Sequence, residues 1–153
     1  MLAELNVFFI AMSPIFELRG SIPMALGFYH LPVWSAYLVS VIGNILPVVF
    51  ILLLLESVSG CLSRRSRFFS RFFTWLFERT KKKHAKSFER WKDLALLIFV
   101  AIPVPFTGAW TGALCAFVFG IPFRRAFPAI AGGVVIAGVI VTLATLGIIQ
   151  ITP

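Results

Sequence analysis

The chain has 153 residues, of which 59% are hydrophobic and only 13% are charged. A soluble domain carries about 25% charged residues, so the composition excludes an ordinary water-facing surface, and the length allows one membrane domain over residues 1–153. The formal net charge is +8, but eleven of the fourteen Lys and Arg residues lie within residues 64–92. This clustering argues against nucleic-acid binding and favours a loop beside a membrane.

The first apolar stretch, residues 5–28, is broken near its middle. Its opening piece, residues 5–16, would form about 18 Å of helix, well short of the roughly 30 Å hydrocarbon core. The segment SPIFELRGSIP, residues 13–23, then brings two prolines, a glycine and two charges. Irregular backbone at membrane depth is tolerated only inside protein or beside a watery cavity. The stretch is therefore predicted to be a re-entrant hairpin of two half-helices.

Two uncharged stretches predict complete membrane spans. Residues 33–55 contain 23 residues without a charge and residues 126–150 contain 25, whereas a spanning helix needs about 20. Glycines within both, including Gly43 and Gly133, would let neighbouring helices approach closely. We expect these glycines to serve packing.

The central basic segment, residues 58–93, is predicted to be a cytoplasmic loop by the positive-inside rule. Within it, residues 67–79 read RFFSRFFTWLFER. At helical spacing one face carries apolar residues and the other carries mainly polar ones. The apolar face comprises Phe68, Phe69, Phe72, Phe73 and Leu76, and the polar face comprises Arg67, Ser70, Arg71, Thr74 and Glu78. This pattern predicts an amphipathic helix at the membrane surface, with its arginines among anionic lipid headgroups.

The second broken stretch, residues 94–119, has two prolines and two glycines near its middle. If both broken stretches spanned the membrane, Arg124 and Arg125 would lie outside. If both re-enter, these arginines stay in the cytoplasm and the positive-inside rule is obeyed. We therefore expect re-entrant hairpins, with both ends of the chain outside.

The two halves share one layout. Residues 1–57 and residues 94–153 each contain a broken hairpin, a proline and a full span, and Gly43 matches Gly133 when both are counted from that proline. The loop between the halves, residues 58–93, gives them opposite topologies. The predicted fold is an all-α integral membrane protein: an inverted repeat of a re-entrant helical hairpin plus a transmembrane helix, with a central amphipathic helical region. In such repeats the site lies where the broken segments meet.

Glu17 and Arg19, in the first tip, are the sharpest functional signal. Ionisable groups at membrane depth cost roughly 2.5 to 3.5 kcal/mol each, and they usually face a cavity and serve a function. Arg19 can bind a phosphate or carboxylate with its planar fork, and Glu17 could exchange protons. A structural ion pair that holds the hairpin closed is the alternative, and the sequence leaves it open.

The second tip carries no charge. It offers two threonine hydroxyls, a tryptophan and glycines that let backbone approach a ligand. A half-helix beginning near Gly108 would direct free N–H groups at an anion, although packing through G-x-x-x-G would also explain Gly108 and Gly112. The predicted substrate-binding residues are Glu17, Arg19, Gly20, Thr107, Gly108, Trp110 and Thr111.

No constellation typical of a soluble enzyme is present in the sequence. The two histidines are far apart, and neither a P-loop lysine motif nor a Ser-His-Asp set can be assembled. We therefore predict no catalytic residue, no metal site and no cofactor. Active transport would depend on an ion gradient or a partner.

Two segments resemble a known family. ELRGSIP at Glu17–Pro23 and PVPFTGAWTGA at residues 103–113 are similar to motifs of the bacterial small multidrug export proteins, and the similarity extends over nearly the whole chain. That family in turn resembles the DedA and VTT membrane proteins, which have facing re-entrant hairpins and include lipid transporters. The resemblance implies a multi-pass protein of the bacterial cytoplasmic membrane that exports a small molecule or flips an anionic lipid.

The expected partners are membrane lipids and the solute, whose polar part is a small molecule or a lipid headgroup, with protons as a candidate coupling ion. A chain this small also suggests a homo-oligomer. The competing interpretation is a membrane module that transports nothing and recruits a partner through its basic amphipathic helix.

Overall fold

A computed structural model of the protein describes residues 2–65, 87–104 and 107–151. In those ranges all regular structure is helical, which confirms the predicted class. The helices are α1 (Leu2–Met12), α2 (Glu17–Pro23) continuing as a π-helix (Met24–Phe28), α3 (Val33–Arg65), α4 (Ser87–Ala101), α5 (Ala109–Val118) and α6 (Phe123–Ile151). The amphipathic helix predicted at residues 67–79 lies outside the described residues.

Among the described residues, two helices are long and apolar enough to cross a membrane. Val33–Leu55, within α3, has a mean hydropathy of 2.8, and Phe123–Ile151 has one of 2.5. Only 39% and 33% of these stretches, respectively, is buried. Many of their large apolar side chains are exposed, including Trp34, Phe50 and Leu143, whereas the core helix of a soluble protein would turn such side chains inward. Both predicted spans are thus present as helices suited to a lipid surrounding.

Helix α3 extends further than expected. Hydropathy placed the end of the first half at residue 57, but the helix continues to Arg65, and α4 begins at Ser87 rather than near residue 94. The sequence boundary marked a fall in hydropathy. Leucine, serine and arginine are nevertheless compatible with helix, so the backbone ladder continues into the basic segment.

The first broken stretch folds back on itself. A short break at residues 13–16 separates α1 from α2. The amide Nδ2 of Asn6 donates to the hydroxyl of Tyr29 at 3.2 Å. These residues, one early in α1 and one just after the π-helix, can meet only because the chain reverses between them. The stretch is therefore a helical hairpin.

The second broken stretch is also a hairpin, with its break between α4 and α5. A Cβ built on Gly112 would lie 2.5 Å from Val100 Cγ2 and 3.9 Å from Leu96 Cδ1. A straight continuation would carry Gly112 far from Leu96, so α5 must return along α4. The sequence had placed Gly112 in the irregular tip, whereas it lies inside α5, where its missing side chain lets the two arms pack closely.

The long helices join the two halves. Helix α3 packs against α1 of its own half and α5 of the other, and α6 packs against α4 of its own half and α2 of the other. Helices α3 and α6 also contact each other. Because the second arm of each hairpin rests on the opposite half, the two breaks come together in the middle of the molecule.

Gly43 marks the contact between α3 and α1. A Cβ at this position would lie 2.8 Å from the carbonyl oxygen of Phe8 and 3.0 Å from the Cβ of Ala11. Real Cβ atoms do not approach backbone so closely, so the glycine is required for the distance between these helices.

Gly133 makes the same arrangement between α6 and α4. Its Cβ would lie 2.8 Å from the carbonyl oxygen of Leu97 and 2.7 Å from the Cβ of Val100. As with Gly43, the carbonyl and the Cβ belong to residues three positions apart on the first arm of the hairpin. The two glycines that the sequence paired therefore occupy equivalent packing positions.

Candidate functional site

A small buried cleft lies where the two breaks meet. Its polar lining comprises Glu17, Arg19, Asn44 and Thr107, and α4 and α6 supply an apolar wall that includes Val100, Val134, Ala137 and Val141. The space open to the centre of a water molecule is about 10 Å³, about enough for one water. The enclosed part of the cleft therefore has no room for a larger solute.

Glu17 holds its carboxylate at the N-terminus of α5. It is the first residue of α2 and is only 5% exposed. Its Oε1 accepts the backbone N–H of Trp110 at 3.4 Å, and the N–H of Ala109 also faces the carboxylate. Gly108, the N-cap of α5, supplies no side-chain cap. Glu17 thus satisfies, from another part of the chain, amides that would otherwise lack an acceptor.

Gly108 leaves room for this carboxylate. A Cβ on Gly108 would lie 2.6 Å from the Cδ of Glu17. The φ angle of Gly108 is 167°, an extended value that any residue can adopt. Space rather than backbone conformation is therefore the reason for glycine at this position.

Arg19 lies between the two breaks. Its Nη2 is 3.8 Å from Oε2 of Glu17 and donates to the carbonyl oxygen of Thr107 at 3.3 Å. A spacing of two residues does not place side chains on one helical face. Glu17 opens α2 with a φ of 45°, a value rare for a residue with a side chain, and this irregular start accompanies the approach of the two charges.

Trp110 connects the second hairpin to the first. Its indole Nε1 donates to the carbonyl oxygen of Met12 at 3.2 Å, while its backbone N–H donates to Glu17. Met12 ends α1, where carbonyl groups lack partners within the helix. The indole therefore fixes the first turn of α5 beside the first break, which sets the position of the cleft.

The sequence matches a family described as "Putative small multi-drug export protein" over residues 17–140. The chain belongs to this family. The match contains both tip segments, so the resemblance carried by ELRGSIP and PVPFTGAWTGA is confirmed. No curated protein and no solved structure matches the chain significantly. With the two outward-facing apolar helices, membership makes this a membrane protein whose family name indicates export of small molecules.

The fold of this export-family protein brings several of the predicted site residues together. Those that line the cleft are Glu17, Arg19, Thr107 and Gly108. Trp110 contacts the Glu17 carboxylate through its backbone. Gly20 and Thr111 do not belong to the cleft lining. Within the described part of the chain, no three His, Cys, Asp or Glu residues come together as a metal site would need.

Thr107 contributes its carbonyl rather than its hydroxyl to the cleft. Its Oγ1 lies 2.7 Å from the carbonyl oxygen of Ile102 and 2.8 Å from that of Val104, and it accepts the N–H of Val104 at 3.2 Å. The hydroxyl is therefore committed to the shape of the break. The carbonyl is the group that meets Arg19.

Asn44 is a cleft residue that the sequence analysis did not select. It is 2% exposed, lines the cleft, and its Oδ1 has no hydrogen-bond partner among the described residues. Leaving a buried acceptor unpaired costs about 1–3 kcal/mol. The available signal was an amide side chain in the uncharged span of residues 33–55.

Two buried serines continue this pattern beside the cleft. Ser21 lies four residues after Glu17, and Ser40 lies four residues before Asn44, so each shares a helical face with a cleft residue. Among the described residues neither hydroxyl has a hydrogen-bond partner. By contrast, Thr142 of α6 donates to a carbonyl of its own helix at 2.7 Å. Three of the four unpaired buried side-chain atoms among the described residues thus lie on α2 and α3, and the fourth is Oδ1 of Asp93 on α4.

Proposed function

We propose that this protein is a membrane exporter whose solute passes through the cleft between the two breaks. One observation supports this function above all: the Glu17 carboxylate and the Arg19 guanidinium of one hairpin lie at the N-terminus of a half-helix of the other. Charges buried at membrane depth usually face a transport path. In secondary transporters, broken helices that meet near the midplane commonly form the solute site.

The hairpin lengths support a re-entrant arrangement. Helices α1 and α5 contain 11 and 10 residues, and helices of that size reach about half of the roughly 30 Å core. We place the hairpins on opposite sides of the bacterial cytoplasmic membrane, with α3 and α6 crossing it. The equivalent packing of Gly43 and Gly133 supports an inverted repeat of hairpin and span.

Topology can be tested at Arg124. After replacement of both native cysteines, Arg124→Cys should react with an impermeant maleimide from the same side as Lys81→Cys in the basic segment. In the re-entrant arrangement both positions face the cytoplasm. Reaction from opposite sides would mean that the second hairpin spans the membrane, and the arrangement would be wrong.

The chemistry of Arg19 indicates an anionic solute. A guanidinium provides five donors in a planar fork, and the neighbouring N-terminus of α5 also favours negative charge. A small molecule with an anionic group and an anionic lipid headgroup both satisfy this requirement. Protons are the proposed coupling ion, with Glu17 as their carrier. We also expect a homo-oligomer, which native mass spectrometry can test.

The competing explanation is that Glu17 and Arg19 form only a structural ion pair. Removing one partner of a buried pair then costs about 3–5 kcal/mol, so both single variants would be unstable, and Glu17→Gln with Arg19→Gln would recover stability. If the pair forms the site, stable single variants should lose transport. An unstable pair of single variants with an active double variant would overturn the proposal.

The decisive measurement combines thermal stability with flux in proteoliposomes. Carboxyfluorescein efflux tests a soluble anion, and loss of dithionite accessibility of NBD-phosphatidylglycerol tests lipid movement. Arg124→Ala, at an exposed position near the start of α6, is the matched arginine control. We expect Arg19→Ala to abolish one of the two fluxes while Arg124→Ala retains it.

The second candidate function is recruitment of a partner by the basic amphipathic segment. The closed cleft, with space for about one water, is the observation that favours it. Phe72→Glu with Phe73→Glu should then abolish co-purification of the partner, while Arg19→Ala should have no effect. If the protein is an exporter, Arg19→Ala should reduce flux more than Phe72→Glu with Phe73→Glu does.

A further inference from the structure

We infer that the carboxylate of Glu17 is a built-in occupant of an oxyanion-binding site, and that a solute's oxyanion enters when Glu17 takes up a proton and turns to Asn44. This inference rests on the proposed function, because it concerns the same cleft. It adds the chemical class of the ligand, the group that the ligand displaces, and the place to which that group moves.

The surroundings of the carboxylate are those of an oxyanion site. The first amides of α5 face it, the Arg19 guanidinium lies beside it, and Gly108 provides the space. Helix N-termini and guanidinium groups are recurrent partners of carboxylate and phosphate oxygens. In this structure the donors face a carboxylate of the protein itself, that of Glu17.

Glu17 is held loosely in this position. Its bond from the Trp110 amide measures 3.4 Å, and its nearest contact with Arg19 measures 3.8 Å. Charge-assisted hydrogen bonds are usually about 2.7–2.9 Å long. The backbone of Glu17 also has a φ of 45°, which is strained for a residue with a Cβ. Long contacts of this kind suit a group that must leave.

Asn44 offers the second position. Its Oδ1 is buried in the same cleft and has no partner among the described residues. An ionised carboxylate has no proton to donate to this acceptor, whereas a protonated carboxyl has one O–H. The ionised form of Glu17 therefore suits the N-terminus of α5, and the neutral form suits Asn44. Two arrangements favoured by two protonation states make a switch.

Few charged groups can interfere with this exchange. Arg19 is the only other charged group among the described residues that line the cleft, and α4 and α6 present apolar side chains there. On α1 the titratable side chain is Glu4, which accepts a hydrogen bond from Ser35 near the opposite end of that helix. The protonation of Glu17 thus responds chiefly to Arg19, the α5 amides and the entering oxyanion.

Proton uptake and oxyanion binding are consequently linked. If one proton must bind Glu17 for one oxyanion to enter, the apparent affinity rises by up to tenfold for each unit by which the pH falls. Substitution of Glu17 by a neutral residue removes both the competitor and the proton dependence. Loss of charge repulsion alone would give the same two effects, so the substitution of Asn44 is what distinguishes exchange between two positions from simple electrostatic repulsion.

Sulfate is a suitable probe because its charge does not change across the tested range, from about pH 5 to 8. Titration calorimetry on the purified full chain in detergent should show wild-type affinity rising as the pH falls. Glu17→Gln should bind tightly at every pH. Ser40→Ala, which alters an unpaired hydroxyl outside the cleft lining, should match the wild type. The basic segment is unchanged in all variants, so any sulfate that it binds cancels in the comparison.

Asn44→Leu tests the second position. With no acceptor for the protonated carboxyl, this variant should lose the gain in affinity at low pH and resemble the wild type at high pH. Glu17→Asp keeps the charge, but its shorter side chain withdraws that charge from α5. This variant should raise the affinity for sulfate at high pH above that of the wild type, and it replaces Glu17→Gln if the latter does not fold. Wild-type affinity and pH dependence in both Glu17 variants would overturn the exchange.

The source of the oxyanion can be separated in the same variants. If Glu17→Gln binds inorganic phosphate more tightly than the wild type does, the ligand is soluble. If its affinity rises only for vesicles containing phosphatidic acid, the ligand is a lipid headgroup. No gain with either probe would contradict the inference. If Arg19→Ala stops export but Glu17→Gln leaves oxyanion affinity unchanged, only the exchange fails. If Arg19→Ala exports normally, the proposed function itself fails.

Discussion

The two halves of this chain pack alike but present different chemistry. Gly43 and Gly133 hold the long helices against equivalent backbone positions, and each half has a broken hairpin. At the breaks the likeness ends: the first supplies a carboxylate and a guanidinium, whereas the second supplies amides, a carbonyl and the space of Gly108.

This difference teaches that one packing scheme can carry two complementary half-sites. Backbone groups recognise charge but carry none, and side chains carry charge but need partners when buried. Glu17 and Arg19 would be costly in the first hairpin alone, and the α5 amides would lack an acceptor in the second. Each break completes the other, so substitutions in either one should disable the same site.

Arg19→Ala should have the largest effect. It removes the fixed positive charge contributed by the first break, and hydrogen bonds to charged groups are worth about 1.5–3 kcal/mol. We expect oxyanion binding to weaken roughly 10- to 100-fold at every pH. Arg19→Lys should be intermediate, because a point charge replaces the planar fork. Calorimetry with sulfate measures both, and equal affinity of Arg19→Ala and wild type would remove Arg19 from the site.

Gly108→Ala tests the second break. The added methyl would meet the Glu17 carboxylate, and such overpacking costs about 1–3 kcal/mol. We expect a lower unfolding temperature together with reduced flux. Gly147→Ala is the control, because a Cβ there meets nothing within 4 Å. A Gly108→Ala protein as stable and active as that control would show that the two breaks do not need this contact.

Hydropathy and charge sufficed to predict the helical class, both spans and both breaks. These features depend on local composition: an apolar run must be satisfied by a helix, and prolines, glycines or charges interrupt it. Glu17 and Arg19 were recognisable because buried charge is expensive. The family resemblance was recognisable from the same short segments.

The contacts across the cleft could not be predicted in this way. The meeting of Glu17 with the α5 N-terminus joins residues 93 positions apart, and no local pattern encodes it. Asn44 was overlooked because one amide in an apolar helix has no spacing that identifies a partner. Thr111 was selected for its hydroxyl and Gly20 for its place in the charged tip, but neither residue lines the cleft.

The equivalence of the two halves can be broken at its matched glycines. Gly43→Ala and Gly133→Ala should each destabilise the protein, because the new Cβ meets a carbonyl oxygen that cannot rotate away. Overpacking of about 1–3 kcal/mol is partly offset by the better helix propensity of alanine, about 1 kcal/mol. Unfolding in detergent should give similar losses for both. A loss in only one variant would contradict equivalent packing.

The smallest effect is expected at a second ion pair, Asp93 with Arg125, which links α4 to α6. Its Nε to Oδ2 distance is 2.8 Å, a full ångström shorter than the 3.8 Å between Glu17 and Arg19. Distance alone would rank it as the stronger pair. The side chains of Arg125 and Asp93, however, are 33% and 28% exposed, and solvent weakens exposed pairs. In the other pair Arg19 is 27% exposed but Glu17 only 6%, so the difference between the pairs lies in the burial of the Glu17 carboxylate.

A double-mutant cycle with Asp93→Asn and Arg125→Gln isolates the coupling of this pair from the other contacts of each residue. We expect a coupling energy below about 1 kcal/mol and unchanged sulfate binding, because neither residue lines the cleft. The same cycle on Glu17 and Arg19 should change sulfate binding as well as stability. If the Asp93 cycle gave the larger change in sulfate affinity, the assignment of the binding site to the cleft would be wrong.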